Sequence, residues 1–142
     1  KIDVREPDEE TTVKILMGSL PKIEKQTGCK MKYNEYVTHQ LMESIVSATT
    51  EFKRVYGLSA MYPDIAFSVL TAAFSQALFK NKNQVDVTDV YNAIKTSKRI
   101  YPDSIVKELQ LFREKFAKLC NEEGVVLPIV TIDDVKNEDD IY

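Results

Sequence analysis

Few side chains of this chain have the types and the spacing that catalysis requires. The single histidine, His39, lies in an amphipathic stretch beside Gln40, and neither Cys29 nor Cys120 has a histidine at helical spacing. A cysteine–histidine nucleophile pair would therefore have to be assembled from distant parts of the fold. Most carboxylates fall at helix starts and on solvated faces, where they complement the helix dipole and aid solubility. We expect no catalytic residue, and the chain alone should not be an enzyme.

Phosphate and metal sites also lack their usual signals. The glycines Gly18, Gly28, Gly57 and Gly124 are scattered, so the sequence contains no glycine-rich phosphate loop. The acidic segment "DDVKNEDD" lacks the central glycine and the closing glutamate of a calcium loop. The two cysteines match no metal spacing, and we interpret them as reduced thiols of a cytoplasmic protein. No metal site is expected.

Composition limits the remaining classes of function. The 142 residues are 44% hydrophobic and 29% charged, which is typical of one soluble domain with a single core. A net charge of -3 argues against a general nucleic-acid-binding protein, and no apolar run approaches the length of a membrane span. We therefore expect neither nucleic acid nor membrane as a partner. The first residue is Lys1 rather than Met, which leaves open a domain cut from a longer chain.

The elements that position these side chains are predicted to be helices. Apolar residues recur at helical spacing in about five segments, and at most one short pair of strands is expected between them. Pro21 lies inside the first helical segment, where we expect a kink or a break. Asn34 and Thr88 are the predicted N-caps of two later helices. The predicted fold is an all-α helical bundle, with a helical domain over residues 1–100, an additional C-terminal helix over 101–124 and a partly flexible tail over 125–142.

The segment "YPDIAFSVLTAAFSQALFK", residues 62–80, is the most apolar of these predicted helices. Pro63 and Asp64 suit a first helical turn, and apolar residues follow on almost every face. We expect this helix to lie inside the bundle rather than on its surface.

Four segments occur in a recognisable order along residues 3–98. "VREPDEETTVKIL" holds an acidic residue, a proline and a Glu-Glu-Thr helix start, and "KIEKQTGCKMKYNEYV" passes through a glycine turn into the next helix. "YPDIAFSVLTAAFSQA" opens a helix with Pro-Asp, and "VDVTDVYNAI" has a Val-x-x-x-Asp-Val-x-x-x-Ile pattern. Their order and spacing resemble the helical lid, the small C-terminal subdomain, of Clp-type AAA+ ATPases, which are protein unfoldases and disaggregases and include the ATP-binding subunits of Clp proteases.

The resemblance implies a function for the chain as part of a larger ATPase. ATP or ADP with Mg²⁺ would be the cofactor of that full-length protein, with the phosphates held by a P-loop outside this chain. Its partners would be the chain's own large AAA+ subdomain, neighbouring subunits of a ring expected to be hexameric, and protein substrates. The lid would couple the nucleotide state to subunit motion, and its own nucleotide contacts would be Val13, Ile15, Leu16, Pro63 and Asp64.

The match is incomplete, and other functions stay open. Ile65 stands where the family has a lysine after Pro-Asp, and residues 102–142 have no counterpart. A free-standing helical interaction or adaptor module, without nucleotide binding, is the main alternative. A histone-fold-like protein would also accommodate "VDVTDV", but the acidic balance lacks the basic surface that DNA binding needs.

Overall fold

The chain folds into helices, as its periodicity predicts. A computed structural model describes residues 9–56, 62–96 and 102–131, with side chains over 9–49, 66–96 and 105–131. Within these residues the all-α prediction is confirmed, with a single short pair of strands. The elements are α1 (Glu9–Thr27), β1 (Lys30–Met31), α2 (Glu35–Tyr56), α3 (Tyr62–Phe79), β2 (Gln84–Val85), α4 (Val87–Lys95), α5 (Pro102–Lys115) and α6 (Ala117–Glu123).

Helix α1 is continuous through Pro21, so of the predicted kink or break the break is not present. Proline removes one backbone donor and crowds the preceding turn, which ordinarily disfavours a helix interior. Here Pro21 is exposed, while Leu16, Leu20 and Ile23 on the opposite side are buried in the core. Burial of this stripe on both sides of Pro21 holds the two halves of α1 in one helix. Gly28, with a φ of 77°, follows the last turn of α1.

Helix α2 begins at the predicted N-cap. The Val37 N–H donates to the side-chain oxygen of Asn34 at 2.9 Å. One stripe of α2, including Leu41, Ile45 and Thr49, is buried, and the Thr49 hydroxyl is satisfied by the Ile45 carbonyl at 3.1 Å. This stripe faces α1 and α3, which both pack against α2.

Helix α3 lies at the centre of the helix packing, but the other helices do not cover all of its surface. It packs against α1, α2 and α4, and its side toward them buries Leu70, Phe74 and Ala77. At the edge of this side Phe67 and Leu78 are exposed, and Phe79, at the end of the helix, is exposed on the side that faces away from the core. The prediction that α3 lies wholly inside the bundle is therefore wrong for this face, because the neighbouring helices pack against one side only.

The two strands form a parallel pair that joins the start of α2 to the start of α4. Lys30 pairs with Gln84 and Met31 with Val85. Helix α4 begins two positions earlier than predicted. Its N-cap is Asp86 rather than Thr88, because the Asp86 carboxylate accepts from the Asp89 N–H while the Asp89 carboxylate accepts from the Asp86 N–H.

The C-terminal part of the chain forms two helices rather than one. The predicted single helix is interrupted between Lys115 and Ala117, and α6 ends at Gly124 in the left-handed conformation. Phe116 at the interruption is buried against Phe112, with ring centroids 4.7 Å apart. Helix α5 packs against α2 and α4, and the extended segment after α6 is anchored to the core by Leu127 and Val130.

Candidate functional site

The residues predicted to contact nucleotide differ in how much of their side chains is exposed. Val13 and Leu16 are buried in the core stripe of α1, whereas Ile15 is 40% exposed. Pro63 and Asp64 lie in the first turn of α3, and their side chains fall outside the described ones. Of the three α1 residues, Ile15 is therefore the one with substantial surface for a ligand, and Val13 contributes only at the wall of a cavity.

That cavity lies between the first half of α1 and the middle of α2 and has a volume of about 430 Å³. Its apolar wall is formed by Val13 and Val46, one from each helix. Charged side chains surround this wall in two i,i+4 pairs, one on α1 and one on α2. They are Glu10 with Lys14 at 3.8 Å and His39 with Glu43 at 3.5 Å, and Glu9 completes the lining.

The charge of this cavity suits a base or an apolar group rather than phosphates. Three carboxylates face one lysine and a histidine, so a polyphosphate would meet net negative charge. The described residues also contain no group of three or more histidine, cysteine, aspartate or glutamate side chains able to hold a metal ion. The residues present fit the adenine of a nucleotide better than its phosphates or its Mg²⁺.

A second polar cluster, centred on Asp89, lies where β2 meets α4. The Asp89 side chain is fully buried, and its two oxygens lie 2.6 Å from the Lys82 ammonium and 3.5 Å from that of Lys80. Lys82 also contacts the Asp86 carboxylate at 3.1 Å. A buried carboxylate needs such partners, because desolvation otherwise disfavours its charge.

The pKa values of this cluster follow from its pairing. Burial lowers the pKa of Lys82, but hydrogen bonds to Asp89 and Asp86 outweigh burial and raise it above its ordinary value. Burial likewise raises the pKa of Asp86, and its bonds with Lys82 and the Asp89 N–H outweigh that effect and lower it. Both groups are therefore held in their charged forms around neutral pH.

An open polar cavity of about 540 Å³ borders this cluster. Its cations already have carboxylate partners, since Lys82 pairs with Asp86 and Asp89 while Lys32 pairs with Glu123 at 3.2 Å. The arrangement stabilises the junction between β2 and α4 and leaves little free charge for a ligand. The Asp-x-x-Asp spacing ahead of Val90 is the sequence signal for this cap, which the prediction of Thr88 missed.

The exposed side of α3 is the third feature. Its residues from Phe67 to Phe79 include no charged side chain, although 29% of the whole chain is charged. Phe79 is 89% exposed and Leu78 is 43% exposed. An uncharged face with large apolar side chains is typical of a contact surface.

Comparison of the chain with protein-family models, with curated proteins and with solved structures found no match in any of the three. Among residues 9–56, 62–96 and 102–131, no helix combines the length and the hydrophobicity needed to cross a membrane.

Proposed function

We propose that this chain is the helical lid of a Clp-type AAA+ ATPase, which couples the nucleotide state of the full-length protein to subunit motion during protein unfolding. The observation that best supports the proposal is the position in the fold of the four segments that carry the resemblance. The described part of the first segment lies at the start of α1, and the second runs from the end of α1 through β1 to the start of α2. The third lies on α3, and the fourth runs from β2 into α4. Helices α1, α2 and α4 pack around α3, so the region that resembles an AAA+ lid forms one structural unit.

The proposal assigns a limited role in nucleotide binding to the chain. Ile15 provides exposed apolar surface on one face of α1, and a separate cavity walled by Val13 and Val46 has room for a base. ATP hydrolysis in the full-length protein would supply the free energy for unfolding, and the phosphates would be held by a P-loop outside this chain. Closing half of a base-binding slot buries only part of its apolar surface, so the isolated lid should bind nucleotide weakly.

The first test is to read the coding sequence upstream of Lys1. The lid proposal requires an open frame with G-x-x-x-x-G-K-[ST] and an acidic Mg²⁺-binding strand that ends in frame at "KIDVREP". A start codon directly before Lys1 would refute it.

The second test uses the longer protein that such a frame encodes. Ile15→Glu places a carboxylate on the exposed apolar surface that the proposal assigns to nucleotide contact, and it should weaken binding of fluorescent ADP by about tenfold or more. The matched control is Ile129→Glu, because Ile129 is 72% exposed and lies in the segment after α6. Equal affinity of the two variants would contradict the role of Ile15.

A free-standing adaptor remains the second candidate, and the exposed α3 face favours it. Large apolar side chains on an uncharged helix face suit a protein partner without any need for nucleotide. The test is whether the tagged chain captures a stoichiometric partner from the source extract. The double variant Phe67→Ser and Phe79→Ser should remove the apolar contact surface and abolish this capture. Capture that is lost in this variant, together with a start codon before Lys1, would select the adaptor over the lid.

A further inference from the structure

A small cavity lies between the end of α5, α6 and the extended segment that follows α6. Its volume is about 210 Å³, and its walls are largely apolar, with Val125, Val126 and Leu127 on one side. Two polar side chains line it, Arg113 from α5 and Asn121 from α6. The described lining residues include no carboxylate, so the cavity carries the single positive charge of Arg113.

The Arg113 guanidinium is not fully satisfied by the protein. Its Nε atom is buried and has no hydrogen-bond partner. Burial raises the pKa of Tyr91, and a smaller opposing effect comes from the Arg113 guanidinium, which donates a hydrogen bond to the Tyr91 hydroxyl oxygen. The Tyr91 proton is already donated to the Pro128 carbonyl, so Tyr91 offers Arg113 only a neutral oxygen. Among the described residues, Arg113 forms no ion pair.

A buried N–H donor without an acceptor is unfavourable, and a guanidinium binds carboxylates particularly well through its planar array of donors. We propose that this cavity is a binding site for a carboxylate that carries a small apolar group. The carboxylate binds the part of the Arg113 guanidinium that borders the cavity, and the Asn121 amide provides a further donor at the rim. The apolar group packs against Val126 and Leu127.

The size of the cavity defines the ligand class. It is small and open to solvent, with Val126 88% exposed, so it offers contact for one small group rather than enclosing an extended molecule. A short branched-chain carboxylic acid and the C-terminal residue of a peptide present the same chemistry here. The site lies outside residues 3–98, which carry the resemblance to AAA+ lids, so it can fail without affecting the proposed function.

The test follows the Arg113 Nε–Hε resonance in ¹⁵N-resolved NMR spectra at constant ionic strength. Isovalerate is expected to shift this resonance saturably, whereas isovaleramide, which has the same shape without the charge, should not. No saturable shift with isovalerate, or an equal shift with isovaleramide, would overturn the proposal.

A pair of peptides then identifies the source of the carboxylate. Acetyl-Gly-Val-Leu with a free C-terminus is compared with its C-terminal amide. Tighter binding of the free peptide than of isovalerate would assign the site to peptide C-termini, and tighter binding of isovalerate would assign it to free acids. Either result supports the site, and binding of the amide as tight as that of the free peptide would contradict it.

The variants separate Arg113 from general surface charge. Arg113→Gln should weaken isovalerate binding by at least about tenfold, measured on the backbone amides of Val126 and Leu127. Lys118→Gln is the matched control, because Lys118 is an exposed cation of α6 that does not line the cavity. Equal losses in both variants would show a general charge effect and overturn the role of Arg113. If Arg113→Gln does not fold, the wild-type resonance and the isovaleramide comparison still decide the matter.

Discussion

The Tyr33 hydroxyl donates a hydrogen bond to a Glu123 carboxylate oxygen at 3.0 Å, although 90 residues separate the two in sequence. The same hydroxyl oxygen accepts the N–H of Val87, the first residue of α4, at 2.9 Å. Lys32 lies 3.2 Å from the other Glu123 oxygen. Tyr33 thus joins the segment after β1, the start of α4 and the end of α6.

Removing the Tyr33 hydroxyl should destabilise the fold. Tyr33→Phe leaves the Val87 N–H without its acceptor and Glu123 without a donor, so we expect a loss of about 1–3 kcal/mol in the free energy of unfolding. Urea titration followed by circular dichroism measures this loss. Tyr36→Phe is the matched control. Because Tyr36 is 71% exposed, removal of its hydroxyl should change the free energy of unfolding by less than about 0.5 kcal/mol. An equal loss of stability in the two variants would contradict the role of the Tyr33 hydroxyl in joining these segments.

The buried Asp89 carboxylate makes a sharper prediction. Asp89→Asn keeps the shape of the side chain but leaves Lys82 and Lys80 without their buried counter-charge. Because Lys82 is partly exposed to water, we expect a loss of about 2–4 kcal/mol, near the lower end for a broken buried pair. Glu43→Gln removes an exposed partner of His39 and should cost at most about 1 kcal/mol. Thermal unfolding at neutral pH compares the two variants. An equal change in Tm would show that the buried ion pairs of Asp89 contribute no more to stability than the exposed pair of Glu43.

The pKa shifts predict how stability depends on pH. The pKa of Asp86 is lowered from 3.8, so its contribution is present above that value and is lost as the pH falls through the lower folded-state pKa. The pKa of Lys82 is raised from 10.5 and that of Cys120 from 9.0, mainly by burial in the case of Cys120. Their contributions are present below those values and are lost as the pH rises through the folded-state pKa values. Stability should therefore be nearly constant around neutral pH and decline on both sides.

Urea midpoints measured from about pH 3 to about pH 11 check this dependence. Asp86→Asn should reduce stability at neutral pH and make the acid decline shallower, while the alkaline decline remains. An unchanged acid slope in Asp86→Asn would show that Asp86 titrates alike in the folded and unfolded chain.

The sequence predicted the helices better than their ends and their surroundings. Helical periodicity was sufficient for the type of each element, because the buried stripes of α1 and α2 repeat over many turns. The cap of α4 was missed because Asp86 and Thr88 both have capping side chains, and only the buried environment of Asp89 selects the earlier start. The interruption at Phe116 depends on packing against Phe112, a tertiary contact that periodicity does not contain.

The candidate site was harder to predict for a similar reason. Val13 and Leu16 belong to the apolar stripe of α1, and a buried stripe and a ligand-contacting surface look alike in sequence. The structure separates them by exposure, which leaves Ile15 as the exposed member. Arg113 had no local signal, because the cavity beside it is formed by three separate parts of the chain.

Helix α5 is predicted to be an essential part of the core. Phe112 is buried and contacts the rings of Tyr91, at 5.6 Å between centroids, and of Phe116. Phe112→Ala should cost about 3–5 kcal/mol in the free energy of unfolding. The adjacent Leu111 is 47% exposed, so Leu111→Ala should cost much less. Chemical denaturation of both variants measures the difference, and a loss below about 0.5 kcal/mol for Phe112→Ala would mean that α5 is not docked on the bundle.

Two phenylalanines of α3 separate stability from surface function. Phe74 is 1% exposed in the core and Phe79 is 89% exposed, five positions later on the same helix. Phe74→Ala should cost about 3–5 kcal/mol, whereas Phe79→Ala should change stability by less than about 0.5 kcal/mol. Urea denaturation of the two variants under identical conditions tests this contrast. A loss of more than about 1 kcal/mol in Phe79→Ala would place Phe79 in the packing of the chain itself. A neutral result would leave its apolar surface free for a partner, as the adaptor requires.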